Sequence, residues 1–394
     1  MRCEEVYKSI YGKDPEAVSF CPYRISPLGA HIDHQYGIIN GLAIDKGVHI
    51  AYSPKHNGVI ELQSLNFEKR AQFFVASIES DKVGDWADYC RGAALQLSQK
   101  YKLTMGMSGV IEGALPSGGI SSSAAVTIAF ITALAAVNGI ELDPWETILM
   151  AKAAENKYVG VNCGKLDQSC EVLCRKDQLL YLDCSDDSNK LIPWKGKEFC
   201  FAIFFSGLER SLATSAYNLR QDECKAAAYN LLAYAGLPYG KFNETVLRDV
   251  PYEVFEKYSD RLPENFRKRA THFFTEIERA KKGARAWETG DIEEYGRLVF
   301  ESGKSSVDNY ECGCPELIGL YNIMTETDGI YGGRFSGAGF KGCCMALLDK
   351  DKAQDVLKSV EEKYLAAFPD MRGKYLSTLC NSADGVDLRG GLAR

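Results

Sequence analysis

A loop of small residues that runs directly into an apolar segment constrains this chain more than any other feature. This serine loop consists of Pro116, Ser117, Gly118, Gly119, Ile120, Ser121, Ser122 and Ser123, and the apolar segment ends near Asn138-Gly139. The first turn of a helix leaves N–H groups unpaired and attracts anions, and glycines let an anion approach the backbone closely. Serine hydroxyls add partners for phosphate oxygens or for Mg²⁺. The loop therefore predicts a phosphate site at the start of a helix.

The serine loop also has a purely structural interpretation. Serine is a common N-cap and Gly-Gly is common in loops, so one serine here would favour a simple helix cap. Three consecutive serines after two glycines exceed what one cap requires. The loop lacks the lysine of a Walker A motif, so a kinase built on it is not a P-loop kinase.

Composition restricts the class of ligand. The chain has 394 residues, 46% hydrophobic and 25% charged, which is typical of a soluble globular protein with two or three domains. Its net charge is -7 and it has no run of Lys or Arg, which argues against nucleic acid as a partner. No apolar run is long enough to span a membrane. We therefore expect small-molecule ligands.

Cysteine usage bears on the compartment. The chain has fourteen cysteines but no apolar leader at its N-terminus, no CxxC pair and only five histidines. This combination predicts reduced thiols in a cytoplasmic protein and no structural metal site.

Apolar periodicity divides the chain into two regions. The first carries strand patterns at 17–20, 47–52, 59–64, 179–183 and 199–205, and helical patterns at 86–101, 121–138 and 144–157. The second carries charged helices at 215–235, 264–289 and 291–302, then a strand at 343–348 and a helix at about 351–366. The pattern predicts an α/β (α+β) chain with two domains, residues 1–205 and 206–394.

Two more segments concentrate polar residues and glycine. One is Arg24-Ile25-Ser26-Pro27-Leu28-Gly29-Ala30-His31-Ile32-Asp33-His34, and the other is Gly332-Gly333-Arg334-Phe335-Ser336-Gly337-Ala338-Gly339-Phe340-Lys341-Gly342-Cys343. With the serine loop between them, they resemble in order and spacing the three motifs of the GHMP sugar and isoprenoid kinases, and within that superfamily the galactokinase branch. The motifs span most of the chain.

The resemblance implies a two-domain GHMP kinase fold. Its N-terminal domain would be ribosomal-S5-like, its C-terminal domain ferredoxin-like with added helices, and the active site would lie between them. It also implies ATP and Mg²⁺ as cofactors and a sugar as substrate. The oligomeric state does not follow from it.

The resemblance further implies a set of site residues. Asp167, in Cys163-Gly164-Lys165-Leu166-Asp167-Gln168, and Arg24 would be catalytic, and Asp167 either accepts the proton of a sugar hydroxyl or orients that hydroxyl. Mg²⁺ would be held by Ser121 and Glu155. The ATP phosphates would contact Pro116, Ser117, Gly118, Gly119, Ser121, Ser122 and Ser123, and the sugar would contact Ala30, His31, Asp33 and Tyr217.

The first motif departs from the galactokinase pattern at one position. Galactokinases have Glu where this chain has Ala30, and that Glu faces the C6 hydroxyl of the sugar. A carboxylate there would repel a C6 carboxylate, so its loss suits a uronic acid. The first and third motifs resemble those of galacturonokinases, which implies transfer of phosphate to the anomeric hydroxyl of D-galacturonic acid. His31, His34 and Lys165 are candidates to bind the C6 carboxylate.

Three alternatives stay open. The chain could be a galactokinase acting on D-galactose, a GHMP kinase for another sugar such as a heptose or fucose, or a catalytically silent sensor of sugar and ATP on the same fold. The presence of Asp167 and of the serine loop argues against the sensor.

Overall fold

A computed structural model describes residues 1–116, 118–208 and 214–392. The helices are α1 (Arg2–Tyr11), α2 (Asp88–Lys100), α3 (Ser122–Val137), α4 (Pro144–Ala153), α5 (Leu166–Leu173), α6 (Thr214–Ala235), α7 (Tyr252–Tyr258), α8 (Glu264–Thr289), α9 (Ile292–Asp308), α10 (Pro315–Thr325) and α11 (Ala353–Ala367). The strands are β1 (Ala17–Leu28), β2 (Ile38–Lys55), β3 (Val59–Ser64), β4 (Ala71–Phe74), β5 (Gly106–Gly113), β6 (Gln178–Asp183), β7 (Asn189–Pro193), β8 (Phe199–Phe205), β9 (Ile330–Phe335), β10 (Cys343–Asp349), β11 (Leu376–Cys380) and β12 (Ser382–Ala383). Mixed α/β content, as predicted, is confirmed.

The first half of the chain forms an eight-stranded mixed sheet. Its main path runs β4-β3-β5-β2-β6-β7, and β1 and β12 also pair with the long strand β2. The pair β3 and β5 is parallel and the other pairs are antiparallel. Helix α3 is apolar on nearly every side because it is buried from Ala124 to Ala135 except at Val126. This burial fixes the position of the helix start that carries the serine loop.

The second half forms a four-stranded antiparallel sheet with the order β11-β8-β10-β9. Counted along the chain, these are the fourth, first, third and second strands, which is the order expected of a ferredoxin-like domain. Helix α8 ends at Gly290, whose φ of 76° is the left-handed conformation that glycine adopts easily at a helix C-cap. The helix predicted at 264–289 is confirmed.

The two halves are joined by more than one crossing of the chain. Strand β8 belongs to the second sheet, whereas β12 returns to pair with β2 of the first. Near the C-terminus, the Tyr52 hydroxyl donates to the carbonyl of Gly390 at 2.8 Å. The division into residues 1–205 and 206–394 stays a prediction, and the sheets change between β7 and β8.

Local structure departs from the predicted elements where the site lies. Arg24 was expected after a strand but lies inside β1, which continues to Leu28. The predicted helix at 144–157 ends at Ala153 and continues as a π-helical turn, Ala154–Val159. Periodicity missed this turn because a π turn inserts one residue into an otherwise helical pattern.

The structure also bears on membrane-spanning helices and on the state of the cysteines. Within the described ranges, no helix combines the length and apolarity that a membrane crossing would need. All fourteen cysteines are free thiols, and twelve of them are buried.

Candidate active site

A cleft lies where the serine loop, the first motif, α5 and the third motif meet. Its empty volume, with solvent at the mouth, is about 1020 Å³. Ten of the predicted site residues line it: Arg24, Ala30, His31, Asp33, Gly119, Ser121, Ser123, Glu155, Asp167 and Tyr217. Residues from three separate motifs thus share one cleft, although up to 193 positions separate them along the chain.

A buried ion pair forms one end of the cleft. Arg24 donates through Nε to Asp167 Oδ1 at 2.8 Å, and its Nη2 lies 2.8 Å from the same oxygen. Burial disfavours the charged guanidinium, but the attraction of Asp167 outweighs it, so the pKa of Arg24 is raised. The Asp167 side chain keeps 26% of its surface exposed and lines the cleft, where Arg24 holds its carboxyl group in place.

The same arginine connects the ion pair to the serine loop. Its Nη1 donates to the Gly119 carbonyl at 2.9 Å, and its backbone N–H donates to the Ile120 carbonyl at 3.4 Å. Ser336 of the third motif also donates to the Gly119 carbonyl, at 2.6 Å. The Gly119 carbonyl therefore connects the serine loop to both the first and the third motif.

Glycines of the third motif allow the two loops to touch backbone to backbone. A Cβ on Gly337 would lie 2.7 Å from the Cα of Gly119, and a Cβ on Gly119 would lie 2.8 Å from the Ser336 carbonyl oxygen. Both glycines also have positive φ, 70° and 87°. Any side chain at either position would push the serine loop away from β10.

Ser121 does not act as a conventional helix cap. It precedes α3 with a φ of 65°, and its side chain accepts no hydrogen bond from the first turn. The hydroxyl is buried and interacts with the carboxyl of Glu171. Burial raises the pKa of Glu171 well above its usual range, which favours the neutral acid. The structural interpretation of the serine loop thus does not account for Ser121.

The oxygen atoms around Ser121 fit a small hard cation. Ser121 and Glu155 both line the cleft, and Glu155 projects from the π-helical turn Ala154–Val159. A hydroxyl and a carboxylate are donors that Mg²⁺ accepts, with phosphate oxygens and water completing its octahedron. Lys82 donates to the Val159 carbonyl at 3.0 Å, so the turn that carries Glu155 is tied to the loop before α2.

The opposite end of the cleft carries the first motif's small and polar residues. Ala30 is held from both sides of its peptide: its N–H donates to Glu276 Oε1 at 3.3 Å, and its carbonyl lies 2.9 Å from His272 Nε2. Asp33 accepts from the Leu166 N–H at 3.2 Å, and burial raises the pKa of its carboxyl. Ala30 leaves space where a longer side chain would enter the cleft.

Three histidines lie on this side: His31 and His272 are buried, and His34 is half-buried. Burial lowers the pKa of His31 well below its usual range, that of His34 to about 3 and that of His272 to about 4. The rings are therefore neutral at physiological pH. The His31 ring stacks on Tyr310, with centroids 4.4 Å apart and planes 9° from parallel.

Several predicted residues lie elsewhere. Pro116, Gly118 and Ser122 do not line the cleft, and Ser117 lies outside the described residues. Of the candidates for the C6 carboxylate, only His31 lines the cleft, because His34 contacts Tyr310 and Gln35 and the Lys165 ammonium pairs with Asp187.

The cleft also contains residues that sequence reasoning missed. Cys163 bonds Asn156 Oδ1 through its backbone N–H at 3.1 Å, and Tyr89 approaches from α2. Behind the cleft, Tyr310 contacts two histidines of the first motif, His31 and His34. No signal in the sequence pointed to it, since Tyr310 and His31 are 279 positions apart.

Comparison with known proteins gives three family matches. Residues 88–175 match the GHMP kinases N terminal domain, residues 280–366 match the GHMP kinases C terminal domain, and residues 5–54 match the galactokinase galactose-binding signature. The chain is 37% identical over 411 residues to a galacturonokinase of Arabidopsis thaliana, covering 97% of this chain and 96% of that protein. It is 32% identical to a galactokinase of Roseiflexus sp., covering 97% and 95%.

Solved structures agree with these matches. Galactokinase of Lactococcus lactis complexed with galactose superposes with a TM-score of 0.87 at 25% identity, covering 98% of each chain. A mevalonate kinase superposes with a TM-score of 0.63 at 16% identity, covering 93% of this chain and 99% of the other, which shows a shared fold.

Proposed function

Because this chain belongs to the GHMP kinases and, within them, to the galactokinase family of sugar-1-kinases, we propose that it phosphorylates D-galacturonic acid at the anomeric hydroxyl. The γ-phosphate of ATP would be transferred, giving α-D-galacturonate 1-phosphate and ADP. The prediction of a GHMP kinase of the galactokinase branch is confirmed by these matches, and the choice of the uronic acid is the proposal.

One observation carries the choice of sugar. Ala30 lines the cleft where galactokinases place a glutamate, and its backbone is fixed by Glu276 and His272. The nearby carboxylate of Glu276 is already engaged: it accepts from the Gly29 and Ala30 N–H groups and from Arg279. With no carboxylate at position 30, a C6 carboxylate escapes the like-charge repulsion that a glutamate would exert. The 37% identity to a galacturonokinase supports the same choice.

The proposal assigns roles to the residues of the charged end. Asp167 would accept the proton of the anomeric hydroxyl or orient that hydroxyl, and Arg24 would stabilise the charge on the transferred phosphoryl group. The N–H groups around Gly119 and the start of α3 would hold the ATP phosphates. Tyr217, Asp33 and the neutral His31 would contact sugar hydroxyls.

Ser121 and Glu155 are the residues that would hold Mg²⁺, which when bound neutralises charge on the phosphates. The protein's own part is to present two oxygen donors to one cleft, one from the residue that precedes α3 and one from the π-helical turn.

A substrate panel tests the proposal. Purified protein is assayed with Mg-ATP and galacturonate, glucuronate, galactose or N-acetylgalactosamine, and ADP release and the sugar phosphate are both measured. We expect the largest kcat/KM with galacturonate. A larger kcat/KM with galactose would refute the choice of sugar, and binding of both ligands without turnover would instead identify a sensor.

The variant Ala30→Glu tests whether the missing carboxylate at position 30 determines the choice of sugar. We expect the ratio of kcat/KM for galacturonate to that for galactose to fall by at least about tenfold, because one buried carboxylate is placed against another. Ala30→Gln is the matched control, since it fills the same volume without charge. An unchanged ratio in Ala30→Glu would show that the C6 group is read elsewhere.

Galactose remains the second candidate. The solved structure with a TM-score of 0.87 is a galactokinase that was crystallised with galactose, and the galactose-binding signature matches residues 5–54 here. The substrate panel separates the two sugars directly.

A further inference from the structure

A chain of hydrogen bonds runs behind the sugar end of the cleft, and it determines which nitrogen of each histidine carries the proton. A neutral imidazole donates through one nitrogen and accepts through the other, and its partners select the tautomer. Partners that can only accept or only donate are therefore informative. The backbone carbonyls of Ser306 and Ala30 can only accept, and the N–H of Leu247 can only donate.

The cysteine behind His31 links it to one of these carbonyls. Cys312 Sγ lies 3.4 Å from the Ser306 carbonyl oxygen and 3.6 Å from His31 Nε2. The thiol has one hydrogen, and burial raises the pKa of Cys312 to about 12, so it stays a thiol. Both contacts are hydrogen bonds only if S–H donates to the carbonyl and Nε2–H of His31 donates to sulfur. His31 then carries its proton on Nε2.

His34 is set by the same reasoning. The Leu247 N–H donates to Gln35 Oε1 at 3.0 Å, which fixes the orientation of that amide. Gln35 Nε2 then donates to His34 Nδ1 at 3.0 Å, so the proton of His34 is on Nε2 and points to the Tyr310 hydroxyl at 3.2 Å.

His272 gives a third instance. Its Nε2 lies 2.9 Å from the carbonyl of Ala30, which can only accept, so Nε2 carries the proton. Its Nδ1 accepts from the Ser305 hydroxyl at 2.9 Å. The three neighbouring rings therefore share one tautomer.

The segment that holds His31 is itself fixed by charged side chains. Arg269 donates to the Asn309 carbonyl, and its Nη2 donates to Glu311 Oε2 at 2.7 Å. Arg220 donates to the Glu311 carbonyl at 3.1 Å. Tyr310 lies between these anchored positions and Cys312 directly follows Glu311, and both are buried, so the His31 ring is stacked on one side and bonded at one edge. His31 also has a φ of 62°, a left-handed backbone that surrounding contacts must hold.

We infer that Cys312 and Tyr310 are positioning residues for His31: Cys312 fixes the Nε2–H tautomer, Tyr310 holds the ring by stacking, and Nδ1 is left to accept a hydrogen bond from a sugar hydroxyl in the cleft that His31 lines. Among the described residues no hydrogen bond occupies Nδ1. An uncharged acceptor binds a hydroxyl and repels a carboxylate, so His31 reads a hydroxyl group. This removes His31 from the candidates for the C6 carboxylate. The inference rests on the proposed sugar kinase only for its ligand, and the tautomer is a property of the protein alone.

Nitrogen NMR of the ligand-free protein tests the tautomer. The chain has five histidines, so a sample labelled with ¹⁵N at the imidazole nitrogens can be assigned with single His→Gln variants. We expect His31, His34 and His272 to show the Nε2–H tautomer at neutral pH. An Nδ1–H form or an imidazolium at His31 would overturn the inference, whichever sugar the enzyme prefers.

The variant Cys312→Val tests the positioning role. Removing the sulfur acceptor should give His31 a mixture of tautomers and raise the sugar KM about fivefold, the effect of one neutral hydrogen bond, with the ATP KM unchanged. Tyr310→Phe keeps the stack and loses the His34 contact, so we expect the His31 tautomer to persist, and that of His34 to persist as well because Gln35 sets it. Cys314→Val is the control for a cysteine exchange in the same segment. Equal changes in the sugar and ATP KM values of Cys312→Val, with an unchanged His31 tautomer, would contradict the role.

These readouts separate the two proposals. If galactose is the better substrate and His31 is Nε2–H, the choice of sugar fails and the inference stands. If galacturonate is preferred and His31 is Nδ1–H, the outcome is the reverse.

Discussion

The two ends of the cleft are built from opposite kinds of interaction. At the phosphate end, Arg24 pairs with Asp167 at 2.8 Å beside the Ser121 hydroxyl and the Glu155 carboxylate. At the sugar end, the imidazoles of His31, His34 and His272 are neutral because burial lowers their pKa values. The Glu276 carboxylate behind Ala30 is paired with Arg279. Under the proposed function, charge concentrates where charge would move in phosphoryl transfer, and hydrogen bonds of fixed direction concentrate where hydroxyl groups would be recognised.

The two ends are therefore expected to control different properties: the charged end the rate of phosphoryl transfer, and the neutral end the preference between sugars. A change at the charged end should lower the rate for every sugar, because the transferred group is the same. A change at the neutral end should alter the relation between sugars or the sugar KM, because the groups there contact the substrate that varies.

The largest expected effect is at Asp167. Asp167→Asn keeps the volume and replaces the acidic group by an amide, so we expect kcat to fall about 10³-fold for all sugars while ATP binding persists. Steady-state kinetics and calorimetric titration with a non-hydrolysable ATP analogue measure the two quantities. Asp187→Asn, which changes an acid outside the cleft, is the control. A kcat within tenfold of the wild type would break the assignment of the reaction to the charged end.

The next effect is at Arg24. Arg24→Lys keeps the charge but cannot bond Asp167 and the Gly119 carbonyl together, so we expect kcat to fall about 10²-fold. Arg248→Lys is a matched control, since Arg248 pairs with Asp183 away from the cleft. If Arg24→Lys raised only the sugar KM, Arg24 would act in sugar binding and not in phosphoryl transfer. The contrast between the two ends would then fail.

The lowered pKa values of the histidines at the neutral end predict that the stability of the protein depends on pH. The pKa values of about 3 for His34 and about 4 for His272 lie below the value of about 6.5 expected in the unfolded chain. As the pH falls from 7 to 5, the unfolded chain binds protons that the folded protein does not. The free energy of unfolding should therefore drop by about 2 kcal/mol for each of these histidines.

Urea unfolding at pH 7 and pH 5 measures this drop. His34→Gln should reduce the difference between the two pH values, and His56→Gln, which changes an exposed histidine, should not. Equal differences in the wild type and in His34→Gln would show that His34 is not held neutral.

The smallest effect is expected at Lys165. Its ammonium pairs with Asp187 and does not line the cleft, so Lys165→Gln should change the KM for galacturonate by less than about twofold. Kinetics with galacturonate and galactose in parallel measure this. A large rise in the KM for galacturonate alone would mean that the Lys165 ammonium binds the sugar. The sugar end would then carry a positive charge, which would contradict the contrast between the two ends.

Much of the site was predictable because its signals are local. The serine loop, the glycines of the third motif and Asp167 each lie in short runs whose residue types fit one task, and ten predicted residues share the cleft. The π-helical turn under Glu155 was missed, because one inserted residue hardly alters the apolar pattern of a helix.

Predictions based on residue type alone were less successful. Lys165 was a candidate for a carboxylate because it is a cation near Asp167, yet Asp187, 22 positions later, pairs with it. Tyr310 and Cys312 showed no sign of contact with the first motif, although they hold His31. A sequence records which groups are available and not which partner each one meets.

The sequence by itself determined the family, the serine loop and the alanine at position 30, because these depend on short runs of residues and on the backbone freedom of glycine. Only the tertiary structure decided that Arg24 lies within a strand, that Ser121 is not a simple cap, and that three histidines are neutral with one tautomer. Those properties depend on burial and on hydrogen bonds between residues up to 281 positions apart, which packing alone brings together.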